Sequence, residues 1–323
     1  MTTQPSASSP GTTGAACTVD IRRTLSAAVA PSVWGTTYIV TTELLPAGHP
    51  LFAGLLRSLP AGVMVLALTR TLPRGAWWGR AAVLGVLNIG MFLPLLFVAA
   101  QRLPGGVAAT LGAVQPLAVA ALSVPLLRER PAPRRIVWGL SGVAGVGLVV
   151  IGPEAALDAV GIAAGLTGAV TMALGVTLTK RWGRPACVGP MEFAGWQLTA
   201  GGVFLLPPAF LVEGTPPAIG PGAALGYLWL GLVGGLVAYS LWFQGIARLP
   251  VASIAVLTLL SPLVAAVLGA AVLGQTLGPV QITGFVLCSA AIVAGQLPAP
   301  GRASRRRPQD GADTGRPKER TAR

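Results

Sequence analysis

Arg57 occupies the most expensive position in the chain for a charge. It lies seven residues beyond Pro50 in an otherwise apolar run, which on a helix places it ~10 Å along the axis from that proline. Facing lipid at such depth, a guanidinium would cost on the order of several kcal/mol, so the side chain is expected to face protein or a wet cavity. Three chemistries suit a cation there. One is an ion pair or gate with Glu43, whose axial offset in a hairpin is ~7 Å, within reach of two long side chains. The second is a fork for the carboxylate of a substrate, and the third is simple snorkelling to the surface.

Other polar and aromatic residues sit at comparable depth. Trp34, Thr36, Thr37 and Tyr38 fall mid-way along the first apolar run, with the two rings four residues apart on one helical face. Asn88 and Phe92 occupy the third run, Gln115 and Pro116 the fourth, Trp196 and Gln197 the seventh, Tyr239 and Trp242 the eighth, and Ser261 and Pro262 the ninth. Buried polar edges need partners and aromatic faces offer apolar walls, the mixture found in small-ligand pockets. Trp34, Tyr38, Gln115, Gln197, Tyr239 and Trp242 are therefore expected to converge on one cavity. Pro116 and Pro262 each free a carbonyl one turn back, and such carbonyls line cavities in broken transporter helices. The bland readings are that threonines bond back to their own helix, that the prolines are packing kinks, and that single glycines are packing material.

Much other chemistry is missing. Asp and Glu are absent from the middle of every apolar run; Glu43 and Glu192 stand near run ends, so proton coupling through a mid-membrane carboxylate is not visible. Cys17, Cys187, Cys288 and the single His49 show no metal-ligand spacing. No phosphate-binding G-x-x-x-x-G-K-[ST] loop and no nucleophile paired with a base is present. No metal, cofactor or catalytic residue is expected, and the chain does not read as an enzyme.

The elements that must hold these residues are membrane helices. With 53% hydrophobic and 10% charged residues among 323 and a mean hydropathy of +0.71, the polar surface is too small to solvate a water-soluble globule. A span needs about 20 mainly apolar residues. Such runs fall near 24–45, 50–69, 80–100, 106–127, 135–152, 158–179, 192–212, 223–245, 251–273 and 279–297. Small-xxx-small pairs such as Gly161/Gly165 and Gly231/Gly235 let helices approach closely.

The chain also repeats itself. Ala99-Ala100-Gln101-Arg102-Leu103-Pro104 recurs as Gly245-Ile246-Ala247-Arg248-Leu249-Pro250, and the same spacing carries Pro116 onto Pro262, Leu127 onto Leu273 and Pro133 onto Pro279. At a slightly shorter spacing, Pro50, Gly62 and Val63 meet Pro190, Gly202 and Val203, and Arg57 meets Gln197. Five spans per half force opposite orientations, so the expected fold is an all-α membrane protein of ten transmembrane helices in two inverted five-helix repeats, the architecture of secondary transporters. The repeats are expected at 24–152 and 153–297, between an N-terminal tail (1–23) and a basic, disordered tail (298–323), with spans five and ten as peripheral supports.

Charge sets the orientation. Arg70, Arg74, Arg80, Arg128, Arg130, Arg134, Arg135, Lys180, Arg181, Arg184 and Arg248 flank the even-numbered connections, both tails are basic, and Glu154, Asp158 and Glu213 lie in odd ones. The positive-inside rule then puts both termini in the cytoplasm. The formal charge of +13 serves orientation and attraction to anionic membrane lipid rather than nucleic acid. The first span is too long for a cleaved signal, and no apolar stretch precedes Cys17 to make a lipoprotein.

These residues resemble a known family. Val33-Trp34-Gly35-Thr36-Thr37-Tyr38, Pro50 with Arg57, Pro116 leading to Leu127-Arg128-Glu129-Arg130, and Pro262 leading to Leu273-Gly274-Gln275 are similar to the paired EamA domains of the drug/metabolite transporter superfamily. The stretches from Trp34 through Pro60 and from Leu103 to Pro116 look closest to PecM-like exporters. The resemblance spans about residues 24–297 and implies a bacterial inner-membrane carrier exporting amino acids or other small metabolites, as monomer or homodimer. Gln275 departs from it, since the second repeat more often ends this helix with Glu. Facilitated export or exchange fits the missing carboxylates at least as well as proton antiport. A structural or regulatory membrane protein without transport is the alternative class.

Overall fold

Proline and left-handed backbone punctuate the chain into helices. The computed structural model describes residues 21–128, 133–150, 158–238, 241, 257 and 260–296. Its helices are α1 (Ile21–Gly35), α2 (Thr37–Leu44), α3 (Pro50–Thr69), α4 (Trp77–Gly85), α5 (Phe92–Arg102), α6 (Gly105–Leu111), α7 (Gln115–Leu127), α8 (Pro133–Val150), α9 (Ala159–Trp182), α10 (Pro190–Val212), α11 (Pro221–Leu228), α12 (Leu260–Leu273) and α13 (Pro279–Gln296). Five of them start on proline, whose missing N–H would be unpaired in the first turn anyway. Arg70 and Arg128 close α3 and α7 with φ of 51° and 55°, and Gly274, with φ of 63°, follows α12.

Two runs continue through π-helical segments, in which the hydrogen bonds close one residue wider than in an α-helix. Val86–Met91 joins α4 to α5, and Trp229–Val237 continues α11. Pro50–Thr69, Trp77–Arg102, Gly105–Leu127, Ala159–Trp182 and Pro190–Val212 are each long and apolar enough to cross a bilayer, and Ile136–Val149, Pro221–Val237, Leu260–Leu273 and Pro279–Ala291 are shorter apolar helices. The span expected at 251–273 is described as a continuous helix from Leu260 onward. Among the described residues there is no strand. Large apolar side chains face outward, Leu68 at 73% exposure and Leu211 at 84%. In water such surface would be an aggregation liability; in lipid it is solvated, so the chain is an all-α membrane protein.

The packing is arranged by pairs. α3 lies on α10, α6 on α12 and α8 on α13; by the repeat spacing α3 corresponds to α10 and α8 to α13, while α12 corresponds to α7. Two further contacts correspond: α7 packs on α9 as α12 packs on α1, and the π segment Val86–Met91 packs on α9 as the π segment Trp229–Val237 packs on α1. α3 thus touches its own counterpart, α10. The α3/α10 contact shows it at atomic scale, because a Cβ on Gly62 would strike the backbone of Thr199 and one on Gly202 would strike Leu59. Gly62 and Gly202, like Leu59 and Thr199, are separated by the same interval in sequence. α8 and α13 pack chiefly against each other and expose Val137, Leu140, Ile282 and Val286.

Side chains fasten helix ends across the halves. The Glu213 carboxylate accepts from the backbone N–H groups of Leu51 (2.6 Å) and Phe52 (2.9 Å), capping α3. Gln275 Oε1 accepts from Gly105 N–H at the start of α6 (3.2 Å), and Arg102 pairs with Asp158 at 2.7 Å. Asp158 also accepts from Gly161 N–H as the N-cap of α9. That backbone bond first, and the Arg102 guanidinium second, hold its carboxyl below the usual range.

Candidate substrate site between the halves

The first apolar run bends where its polar residues lie. α1 ends at Gly35, Thr36 turns, and α2 resumes at Thr37. Thr36 Oγ1 donates back to Val33 O (2.7 Å) and accepts from Trp229 Nε1 (2.8 Å). Trp34 Nε1 donates to Gly234 O at 2.9 Å. Two indole N–H groups therefore stitch the bend to the π segment of the other half, Trp34 donating to it and Trp229 donating from it.

Arg57 enters beside this seam. It is 8% exposed, its Nη1 is 3.5 Å from Thr37 Oγ1, and its guanidinium carbon lies 5.9 Å from the Phe97 ring centroid. Glu43 does not approach it as expected: Glu43 is exposed, and among the described residues no ion pair joins the two. The reason is helical phase. Thr37 and Thr41, one turn apart, are buried, and Glu43 is two residues further on, ~200° around the helix.

On the other side of the interface, Asn88 Nδ2 donates to Gln197 Oε1 at 2.7 Å. Gln197 Nε2 reaches back to Phe193 O (3.4 Å). Asn88 is 8% exposed and its Oδ1 has no hydrogen-bond partner among the described residues. That oxygen rests on Gly175, where it fills the place a Cβ would take.

The remaining candidates are dispersed. Tyr38 is buried with Ala99, Leu103, Val107 and Ala265, and Phe92 packs beside Leu93 and Phe97. Trp196 belongs to a separate aromatic cluster with Trp77 and Phe193, its Nε1 donating to Thr71 O at 2.7 Å. Gln115 is half-buried at the start of α7. The carbonyl that Pro116 cannot pair with, that of Gly112, is taken by Gln115 N–H in a short tightened turn, so it is not offered to a cavity. Ser261 and Pro262 are half-buried at the start of α12, and the Ser261 carbonyl lies against Gly35. Tyr239 and Trp242 lie outside the described residues. Among the described residues no group of His, Cys, Asp and Glu is placed to hold a metal.

Sequence reasoning missed Trp229, Gly234, Phe97 and Gly175. A signal existed for Gly234, because the spacing that carries Arg102 onto Arg248 carries Gly85 onto Gly231 and Asn88 onto Gly234.

A helical membrane protein built from two matched halves, with polar and aromatic side chains meeting between them, has the form of a secondary carrier. Residues 23–151 and 159–294 both match the EamA-like transporter family, and the chain belongs to that family. It is 44% identical over 264 residues to Protein PecM of Dickeya dadantii (strain 3937), covering 82% of this chain and 89% of that protein. It is 28% identical over 283 residues to the chloroplastic WAT1-related protein At3g02690 of Arabidopsis thaliana, covering 82% and 67%. Over 260 residues it is 28% identical to the uncharacterized inner membrane transporter YedA of Escherichia coli (strain K12), covering 77% and 82%. A solved crystal structure at 20% identity superposes with a TM-score of 0.60 over 85% of this chain and 96% of that one, a likeness of fold.

Proposed function

We propose that this protein is a secondary transporter that exports amino acids or other small metabolites across the bacterial plasma membrane by alternating access. It does so through ten spans in two inverted repeats with both termini in the cytoplasm. The observation that carries the reading is the pair of π segments, Val86–Met91 and Trp229–Val237. Each belongs to a corresponding span, and each meets a polar residue of α3 or α10: Asn88 meets Gln197, and Gly234 lies beside Arg57. A helix that gives up ideal hydrogen bonding at matched places in both halves has a local mechanical role.

In this orientation the Glu213 cap, the Gln275 cap and the Arg102–Asp158 pair all lie at the outer ends of their helices. The Trp77–Phe193–Trp196 cluster and the Trp196–Thr71 bond lie at the inner ends. Release to the outside then requires the outer fastenings to part, and loading from the cytoplasm requires the inner cluster to loosen. Rocking of one half against the other across the α3/α10 contact supplies that motion. With no Asp or Glu in the middle of the apolar runs, the cargo gradient itself or exchange drives net movement.

Purified protein in liposomes preloaded with an unlabelled amino-acid mixture tests this. The expected result is transient accumulation of labelled amino acid above equilibrium. Uptake equal to that of protein-free liposomes across amino acids and other small metabolites would overturn it.

A further inference from the structure

The aromatic cluster at the inner helix ends carries a cation that transport by rocking does not use. Trp77, Phe193 and Trp196 pack with ring centroids 5.8 to 6.4 Å apart. Arg80 follows Trp77 by three residues on α4, which brings it back to the same helical face. Its guanidinium carbon lies 5.1 Å from the Trp77 ring centroid and 6.0 Å from that of Trp182, at the end of α9. Two indoles from different helices thus hold one guanidinium. Arg80 is half-buried, and among the described residues no hydrogen bond or ion pair takes its N–H groups.

The surroundings are those of the membrane interface. Trp78, the next residue on α4, is 58% exposed, as indoles at the headgroup level are. Arg74 precedes α4, and Arg181 and Arg184 flank Trp182 in sequence; all three are exposed. Trp77 N–H donates to Arg74 O at 3.1 Å, and Trp196 Nε1 donates to Thr71 O, so the loop that bears Arg74 is tied to the same cluster. Among the described residues the one carboxylate at this end of the bundle is Glu192. It lies against Gly189 at the start of its own helix and pairs with none of these arginines.

We propose that Arg80, held by Trp77 and Trp182 and flanked by Arg181 and Arg184, binds the phosphate of an anionic phospholipid in the leaflet at this end of the bundle. A guanidinium over aromatic rings uses its flat face there and keeps its N–H edge in plane for two phosphate oxygens. The acyl chains then lie along the apolar surface beside it, where Leu72 is 55% exposed next to Trp78. A water-soluble phosphate compound would share the first contact and lack the second. In the orientation proposed above this end faces the cytoplasm, the side on which anionic headgroups meet basic pockets between membrane helices. Attraction by the basic tails needs only net charge, whereas this site needs the guanidinium in its place on the rings. An arginine that served only to orient the chain would have no use for two indoles from different helices.

The test uses the purified full chain, stripped of lipid in a neutral detergent. Phosphatidylglycerol or phosphatidylcholine with the same acyl chains is titrated in, native mass spectrometry counts the bound lipid, and the thermal midpoint is followed alongside. Neither readout depends on transport or on which side of a membrane the site faces, so this site and the transporter reading stand or fall separately. The expected result is one phosphatidylglycerol bound at least tenfold more tightly than phosphatidylcholine, with a midpoint rise that saturates. Arg80→Gln should weaken phosphatidylglycerol binding at least fivefold and leave phosphatidylcholine binding unchanged, while Arg80→Lys keeps the charge without the fork and falls between. Arg22→Gln removes an exposed charge at the start of α1, outside the cluster, and should change phosphatidylglycerol binding less than twofold. Equal losses in Arg80→Gln and Arg22→Gln would make the attraction diffuse and overturn the site, as would equal affinity of the parent for the two lipids. Glycerol phosphate that raises the midpoint as far as the phospholipid, at the same concentration, would mark a soluble ligand and overturn the lipid assignment. Should Arg80→Gln fail to fold, Arg80→Lys replaces it, and parent-like phosphatidylglycerol affinity in that variant overturns the site.

Discussion

The neighbourhood of Asn88 and the neighbourhood of Arg57 are related by the chain's own internal repeat, yet one is closed by a neutral amide pair and the other holds a cation beside glycine backbone. The shared part is what the fold requires. Both have a π segment, a glycine at a helix contact and a buried threonine, Thr37 in one and Thr177 in the other. The part that differs is what only one half needs. A duplicated scaffold thus separates structural from functional demands without any other sequence for comparison.

The contrast can be broken most forcefully at its two glycines. Gly175→Val would push a branched side chain into the Asn88 amide, and overpacking of this kind costs about 1–3 kcal/mol. The thermal midpoint in detergent should fall sharply. Gly234→Ala adds a methyl at ordinary contact distance from Arg57 and should shift that midpoint far less. Equal shifts would mean that the two neighbourhoods are packed alike.

Next in size is Glu213→Ala, which removes the acceptor of two N–H groups at the start of α3. Loss of a helix N-terminal acceptor costs about 0.5–2 kcal/mol. If the outer fastening opens during transport, the same variant should also speed exchange relative to its stability loss. Trp34→Phe keeps the ring and deletes the N–H that meets Gly234 O, an expected loss of about 0.5–1.5 kcal/mol, with reduced flux because the seam beside Arg57 loosens.

The smallest effect belongs to Asp158. Its carboxyl is held below the usual range by Gly161 N–H and Arg102, so the native state binds a proton less readily than the unfolded chain. Its contribution is complete above the ordinary carboxylate pKa and is lost as pH falls through the depressed one. Asp158→Asn should therefore lower the midpoint slightly at neutral pH, leave it nearly unchanged below the depressed pKa, and so flatten the acid side of the midpoint-versus-pH profile.

How much of this was legible beforehand follows from what each signal encodes. Apolar runs, proline starts and the repeat are written in local composition, so the helices and their duplication could be read directly. Arg57 was visible because a charge in an apolar run is costly wherever it points. Its relation to Glu43 was not, because a hairpin estimate fixes depth along the helix but leaves rotation about the axis free, and 200° separates Glu43 from the buried threonine face. Trp196 was read as a pocket residue from its depth, whereas its indole is tied to Thr71 O in an aromatic cluster. Gly234 carries no chemistry of its own. Its meaning appears only when Asn88 is set against it, and the π register that presents its carbonyl has no sequence signature.

The central claim is that the matched halves are inverted in the membrane, and two cysteines test it most directly. Cys187 is a native exposed thiol, and the repeat interval pairs it with the exposed Ala47. In a chain with Cys17 and Cys288 changed to serine, and in its Ala47→Cys, Cys187→Ser counterpart, a membrane-impermeant maleimide is applied to intact cells and to inside-out vesicles. The account predicts that Cys187 reacts only in inside-out vesicles and the cysteine at position 47 only in intact cells. Labelling of both from the same side would make the halves parallel and contradict it.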